Sequence, residues 1–399
     1  MTKEGSARLV TVLADDLTGA LDTAVQFARE DSPVTVLLRP HEDDARVVVA
    51  DTESRGLSPA AATRSLQGWI PLARGLVYKK MDSTLRGPFA AEAEALGRAL
   101  GKRGVLVAPA FPRAGRTVRQ GVLHVHGIPV HETEAAADPG CPITDSRVRE
   151  AVRRYVHSCC HTIGLPTVRE GVQAVTSALD ALSGFAVADA ETDADLAVLA
   201  KALVERSDWL PCGSAGLAEA LAGRLGFARS TTSMAIPRPA VLVVGSAHPA
   251  SRRQLARVAE ALDLAPVVVG GEPEAELLER ADRNYHRTGV ALLALPEGRL
   301  ATAAAESART ALARLGAELV DRWRAETLYA TGGETLLAVL EALDVAALRP
   351  LAEVAAGVVI SEARPASGRG LAVVSKAGGF GDDDLLVRLF ATLPVNGTG

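Results

Sequence analysis

No run in this chain reaches the roughly 18 uninterrupted apolar residues that a membrane-spanning helix needs, so no part of it reads as a transmembrane segment. Aromatic residues are scarce at 4%, which removes the stacking platform of a single-strand nucleic-acid binder. A basic surplus is missing too. The 43 Lys and Arg stand against 48 Asp and Glu, and a net charge of −5 opposes general binding to a phosphate backbone. Cysteine is limited to Cys141, Cys159, Cys160 and Cys212. The adjacent pair in His157-Ser158-Cys159-Cys160-His161 has no second pair to complete a structural zinc site, so it reads as reduced thiols, mostly buried. The N-terminus carries an acid at Glu4 and runs into a strand-like segment, unlike a signal peptide; a cytoplasmic protein is expected. Nucleotide fingerprints are also lacking. There is no Gly-x4-Gly-Lys-Ser/Thr, no protein-kinase set, and no Gly-x-Gly-x-x-Gly with a later acidic partner, which leaves a dinucleotide site unsupported.

What is present is a chain of 399 residues, 48% hydrophobic and 23% charged, too long for one ordinary core. Short apolar runs at residues 46–50, 75–78, 104–108 and 185–188 alternate with Ala- and Leu-rich helical stretches such as 59–70 and 90–100. That alternation predicts an α/β protein with largely parallel sheets covered by helices. Between residues 111 and 144 the pattern breaks into an irregular Gly-, Pro- and His-containing excursion. Ser230-Thr231-Thr232-Ser233, followed by Pro237 and Pro239, is linker chemistry. The expected organisation is therefore a domain over 1–230, a linker over 231–239 and a domain over 240–399. The active site is expected in the cleft between them. In the second half, strand runs are expected at 240–244, 267–269, 290–295, 327–330 and 370–374.

Two motifs in the first half carry chemistry. Asp15-Asp16-Leu17-Thr18-Gly19 follows the strand-like run 8–13 and opens a helix over 17–29. One Asp suffices to cap a helix; two at a strand end suit a hydroxyl, a cation or a proton. Lys79-Lys80-Met81-Asp82-Ser83-Thr84-Leu85-Arg86-Gly87 packs three cations, a carboxylate and two hydroxyls into nine residues after the run 75–78. Read as a loop at a strand end, it suits an anionic ligand.

Three loops of the second half share small residues at a strand end: Gly245-Ser246-Ala247-His248, Thr331-Gly332-Gly333-Glu334-Thr335 and Ser375-Lys376-Ala377-Gly378-Gly379-Phe380-Gly381. Glycine lets the backbone approach a phosphate, and exposed N–H groups at a helix start attract anions. Asp382-Asp383-Asp384 reads as helix N-terminal charge rather than a metal site. Pro211-Cys212-Gly213-Ser214-Ala215-Gly216 reads as one more small-residue turn into a helix, without a role.

Together these motifs resemble the four-carbon acid sugar kinase family, formerly a domain of unknown function. The likeness runs in order through 14–20, 51–55, 79–87, Gly115-Arg116-Thr117, 127–134, 213–217, Gly245-Ser246, 332–335 and 376–381. It implies an N-terminal domain binding an acid sugar, a C-terminal domain binding ATP, and transfer of the γ-phosphoryl group to the terminal hydroxyl of threonate, erythronate or 3-oxo-tetronate. By position it implies that Asp16, Arg55, Lys80, Met81, Asp82 and Ser83 contact the acid sugar. It implies likewise that Ser246, Gly332, Gly333, Glu334, Thr335 and Gly379 contact ATP. Glu334 stands where many relatives have Asp, and Ala247 where Cys is common. The residue chemistry agrees: Arg55 suits a bidentate grip on the substrate carboxylate, Lys80 suits charge neutralisation, and Asp16 or Asp82 suits the general base. Mg²⁺ is expected with ATP, held mostly by phosphates and water. If the chain self-associates, a homodimer is the commonest form. Two rival readings are a non-catalytic two-domain sugar-acid sensor and a nucleotide-linked hydroxy-acid dehydrogenase.

Overall fold

Runs of β-branched and aliphatic residues that bury both faces are what a parallel sheet under two helical layers demands. The computed structural model describes residues 9–29, 32–138, 141–227, 236–296, 302–365 and 368–391, and divides into two compact units, 1–230 and 231–399. In the first unit the strands are β1 (Val10–Ala14), β2 (Val34–Leu37), β3 (Val47–Asp51), β4 (Leu76–Lys80), β5 (Gly104–Ala108), β6 (Arg116–Arg119), β7 (Val122–Val125), β8 (Ile128–Pro129), β9 (Cys160–Ile163), β10 (Gly184–Ala188) and β11 (Trp209–Gly213). The main sheet runs β2-β3-β1-β4-β11-β5-β10-β9, parallel at every neighbouring pair. From β1 the chain winds outward to β2, returns to β3, then crosses to β4 on the other side of β1. The winding direction thus reverses between β1 and β4, and ligands of such sheets bind beyond the strand C-termini at that reversal.

Two local readings change. β4 runs two residues beyond the expected strand end, so Lys79 and Lys80 lie inside a central strand and are buried. Pro211-Cys212-Gly213 is no turn but the end of β11, paired with β5 through Pro211↔Leu106 and Gly213↔Ala108. Proline is rare in central strands, which hid this one from composition. Gly213 is required there, because a Cβ would lie 2.9 Å from Tyr78 Oη and still closer to the Ala108 carbonyl. Cys160 and His161 open the edge strand β9. Cys160 and Cys212 are buried, Cys141 is half-buried and Cys159 exposed, all as free thiols. The irregular excursion holds the small antiparallel sheet β6-β7-β8.

The second unit contains β12 (Ala240–Val244), β13 (Val267–Val268), β14 (Val290–Ala294), β15 (Thr327–Thr331), β16 (Ala347–Ala355), β17 (Val358–Ala363) and β18 (Leu371–Lys376). Their order is β13-β14-β12-β15-β18-β17-β16; the first five strands are parallel, and the hairpin β16–β17 joins antiparallel. Here the winding reverses between β12 and β15. Leu242, Val244, Leu292, Tyr329, Ile360, Val374 and Phe390 share one buried core with Ile236. Of the linker, residues 231–235 lie outside the described residues. No described helix is long and apolar enough to cross a membrane.

Candidate active site

At the first reversal, the ends of β1, β3 and β4 gather a network of opposite charges. Asp16 caps the helix Leu17–Ala24: its Oδ1 accepts the Gly19 N–H at 3.0 Å and its Oδ2 the Thr18 hydroxyl at 2.6 Å. Asp15 is 1% exposed and takes the Arg55 fork, Nε at 2.9 Å and Nη2 at 3.0 Å. Arg55 Nη2 also donates to Asp16 Oδ1 and lies 3.8 Å from Asp82 Oδ1. The bidentate edge expected to hold the substrate carboxylate is therefore closed on Asp15; only Nη1 takes no part in these bonds. Burial raises the Asp15 carboxyl, but Arg55 and Lys80 outweigh it and hold the group below its ordinary value. The loop itself is fastened by the N–H groups of Ser54 and Arg55, which donate to the Asp15 carbonyl at 3.0 and 3.1 Å.

Lys80 brings its ammonium to the same place, donating to the Met81 carbonyl at 2.8 Å. A Cβ on Gly19 would lie 2.6 Å from both Lys80 Nζ and Asp16 Oδ1, so glycine there allows the two charges to meet at the helix start. Lys79 serves differently. It pairs at 2.9 Å with Glu92, both fully buried, and Ser54 Oγ donates to the same carboxylate at 2.6 Å. That pair ties the helix Phe89–Ala99 to the sheet and is no ligand group. Met81 packs its sulfur 3.8 Å from Cys212 Sγ, in the core, so only its backbone can meet a ligand. Ser83 is half-buried beside them.

Asp82 is locked. Its Oδ2 accepts from the Thr84 N–H at 3.0 Å, the Thr84 hydroxyl and Arg86 Nε at 3.0 Å, while Oδ1 accepts Arg86 Nη2 at 2.8 Å. Burial opposes ionisation, but Arg86 and Arg55 outweigh it and hold the carboxyl well below the usual range. Arg86 also pairs with Asp138 at 2.8 Å. Glu53 and Leu85, at φ 47° and 71°, adopt left-handed backbone on either side of this network. Such conformations cost energy in non-glycine residues and collect at functional loops.

Two residues given no role by the sequence join this field. Asp51 ends β3 with its Oδ2 buried and without a hydrogen-bond partner. Burial, then the neighbouring Asp16, pushes its carboxyl well above the ordinary value. Arg116 arrives on β6: burial lowers its guanidinium, and Asp82 and Asp22 pull it back up. Only its place in Gly115-Arg116-Thr117 hinted at this, since the excursion that carries it has no periodic pattern.

At the second reversal, three loops converge. A Cβ on Gly245 would overlap the Thr335 side chain, one on Gly378 would overlap Ser246 Oγ, and one on Gly379 would lie 3.0 Å from His248 Nε2. Gly332 has φ +96° and sits with its Cβ position 3.8 Å from Ser246 N. Gly333, Glu334 and Thr335 form the first turn of the helix Gly333–Ala342, whose N-cap Gly332 supplies no side chain to its N–H groups. Such a helix start is a ready anion site. Ser246, Gly332, Gly333, Thr335 and Gly379 thus come together. Glu334 instead turns outward, 77% exposed and paired with Arg309. Asp382, Asp383 and Asp384 pair with Arg388, Arg253 and Arg257. Among the described residues no three His, Cys, Asp or Glu side chains cluster as metal ligands.

The chain matches known proteins over most of its length. Residues 10–221 match the family model of a sugar-binding N-terminal domain, and 241–386 that of a nucleotide-binding C-terminal domain. The D-threonate kinase of Bordetella bronchiseptica is 36% identical over 95% of this chain and 96% of its own length. The 3-oxo-tetronate kinase of Methylobacterium radiotolerans is 31% identical over 94% and 97%. A solved Salmonella typhimurium structure aligns with a TM-score of 0.75 at 23% identity, covering 95% of this chain and 98% of that one, and so shares the fold. With both domain models and full-length kinase relatives matched, the chain belongs to the four-carbon acid sugar kinase family and is a phosphotransferase.

Proposed function

We propose that this protein transfers the γ-phosphoryl group of ATP to the terminal 4-hydroxyl of a four-carbon acid sugar, with D-threonate the first candidate substrate. The observation that carries the reading is the pairing of two different cradles at two sheet reversals. One is rich in paired charge, and the other is lined by glycine and an open helix start. In this reading Arg55, Lys80 and Ser83 hold the acid sugar with the Met81 backbone. Ser246, Gly332, Gly333, Thr335 and Gly379 hold the nucleotide, with Glu334 contributing through its backbone in the first helical turn.

The reaction asks for a base. Both carboxylates have both oxygens hydrogen-bonded, but Asp82 is forked by Arg86 and held well below the usual carboxylate range, which makes it the weaker proton acceptor. We assign the base to Asp16, which is the more exposed of the two, 16% against 8%, and lies beside Lys80. The substrate hydroxyl oxygen bonds to the γ-phosphorus, the bond from that phosphorus to the β,γ-bridging oxygen breaks, ADP leaves, and the hydroxyl proton passes to Asp16. Mg²⁺ would neutralise nucleotide charge, held mainly by the phosphates and water.

The test is ADP release, measured by a coupled assay, with D- and L-threonate, D- and L-erythronate and 3-oxo-tetronate. Turnover with one or two of them supports the reading and names the substrate. Tight binding of an acid without ADP release would replace the kinase by a sensor, and turnover only with a nicotinamide cofactor would replace it by a dehydrogenase.

A further inference from the structure

Lys376 ends β18 with its side chain fully buried. Its Nζ lies 3.0 Å from the carbonyls of Ala377 and Gly378, 3.1 Å from that of Phe380 and 3.3 Å from Ser251 Oγ. Ser251 Oγ in turn donates to the Gly378 carbonyl at 2.8 Å. Carbonyls only accept, and three of them use all three N–H groups of an ammonium. Burial pulls Lys376 down to about 7, and among the described residues no carboxylate pulls the other way. A neutral amine, with two N–H groups, would have to give up one of these three bonds.

The consequence lies on the other side of the loop. In a trans peptide the C=O and the following N–H point in opposite directions. The carbonyls of Ala377, Gly378 and Phe380 share peptide units with the N–H groups of Gly378, Gly379 and Gly381. Among the described residues, none of those three N–H groups donates to a protein acceptor. Gly379 and Gly381 are exposed, and Gly381 has φ +80°. Gln254 extends the same grip, its Nε2 donating to the carbonyls of Phe380, Gly381 and Asp382 at 3.0, 3.1 and 2.9 Å. Successive outward N–H groups of this kind form an anion-binding concavity.

We propose that Lys376 is the positioning residue of the nucleotide loop: by drawing three carbonyls inward, its ammonium turns the N–H groups of Gly378, Gly379 and Gly381 outward as a nest for the nucleotide's terminal phosphates. Beneath that nest it places an ammonium that no described side chain pairs with as a salt bridge. This rests on the nucleotide reading above and goes beyond it by naming the group that shapes the loop.

Calorimetry with adenosine, ADP and ATP on wild type, Lys376→Met and Lys376→Arg tests it. Removing one buried charge near a phosphate is expected to weaken ADP and ATP roughly 10- to 100-fold. Adenosine affinity should stay within about twofold, and the arginine variant should recover part of the loss. Equal losses for adenosine and ADP, or unchanged ADP binding in Lys376→Met, overturn the proposal. Wild type failing to bind ADP overturns the nucleotide reading itself, and this inference with it. Where Lys376→Met does not fold, the Nζ of ¹⁵N-labelled wild type decides: its pKa should rise on saturation with ADP. An Nζ that titrates unchanged overturns the proposal.

Discussion

Asp16 and Asp82 differ in what a lost charge leaves behind. Asp82 neutralises a largely buried Arg86 and bonds the Thr84 hydroxyl and backbone, so Asp82→Ala breaks a buried pair. Such changes cost about 3–5 kcal/mol, and thermal or urea melting should show it. The sign with pH follows from its depressed value. The stabilisation is present above the ordinary carboxylate range and is lost only as pH falls through the folded-state value. Asp16→Asn should behave oppositely. Asparagine caps a helix as well as aspartate does, so melting should move little, while kcat should fall roughly 10²–10⁴-fold for loss of a general base. If kcat survives in Asp16→Asn and collapses in a folded Asp82 variant, the two roles must be exchanged.

Strand ends and helix starts do the positioning at the scale of elements. β4 carries Lys79 inward to Glu92 and Lys80 onward to the helix start at Asp16, so two adjacent lysines receive opposite tasks. In the second unit, the loop after β12 is pressed against the first turn of the helix Gly333–Ala342 through Gly245 and Thr335. Gly245→Ala would drive a methyl into the Thr335 side chain and displace that helix start. Nucleotide affinity is expected to drop about tenfold or more, a loss of order 1.4 kcal/mol, as the helix N–H groups leave their places. Calorimetry with ADP checks this, and unchanged affinity would mean that the helix start does not hold the nucleotide.

For the whole molecule, the two cradles belong to separate compact units with separate cores. Binding of each ligand alone should therefore be separable. Asp16→Asn and Arg55→Lys should leave ADP affinity within about twofold, and Gly245→Ala should leave D-threonate affinity equally untouched, since each substitution lies in the unit that carries the other cradle. Cross-loss in both directions, measured by calorimetry on folded variants, would show that the cradles are one unit energetically.

The strands 104–108 and 240–244 were legible to the residue, because uninterrupted apolar runs bounded by glycine or proline have few other uses. Asp16, Lys80, Ser246 and the 332–335 turn were legible as charge or glycine near a strand end, because that pattern has a local signature. β11 was not, since Pro211, Cys212 and Gly213 mimic a turn and become a strand only between β4 and β5. Nor was the hairpin β16–β17, where Pro350 and alternating polar residues depress the signal. Composition and order of motifs by themselves determined the α/β class and the family likeness, because periodicity and loop chemistry are properties of neighbouring residues. Only the tertiary structure decided which charges are spent. Arg55 on Asp15, Lys79 on Glu92, Arg86 on Asp82 and Lys376 on its own loop are contacts across distant segments or around a folded turn. Whether a cation is free for a ligand depends on which partner burial brings within reach, and that distance exists only once the sheet has formed.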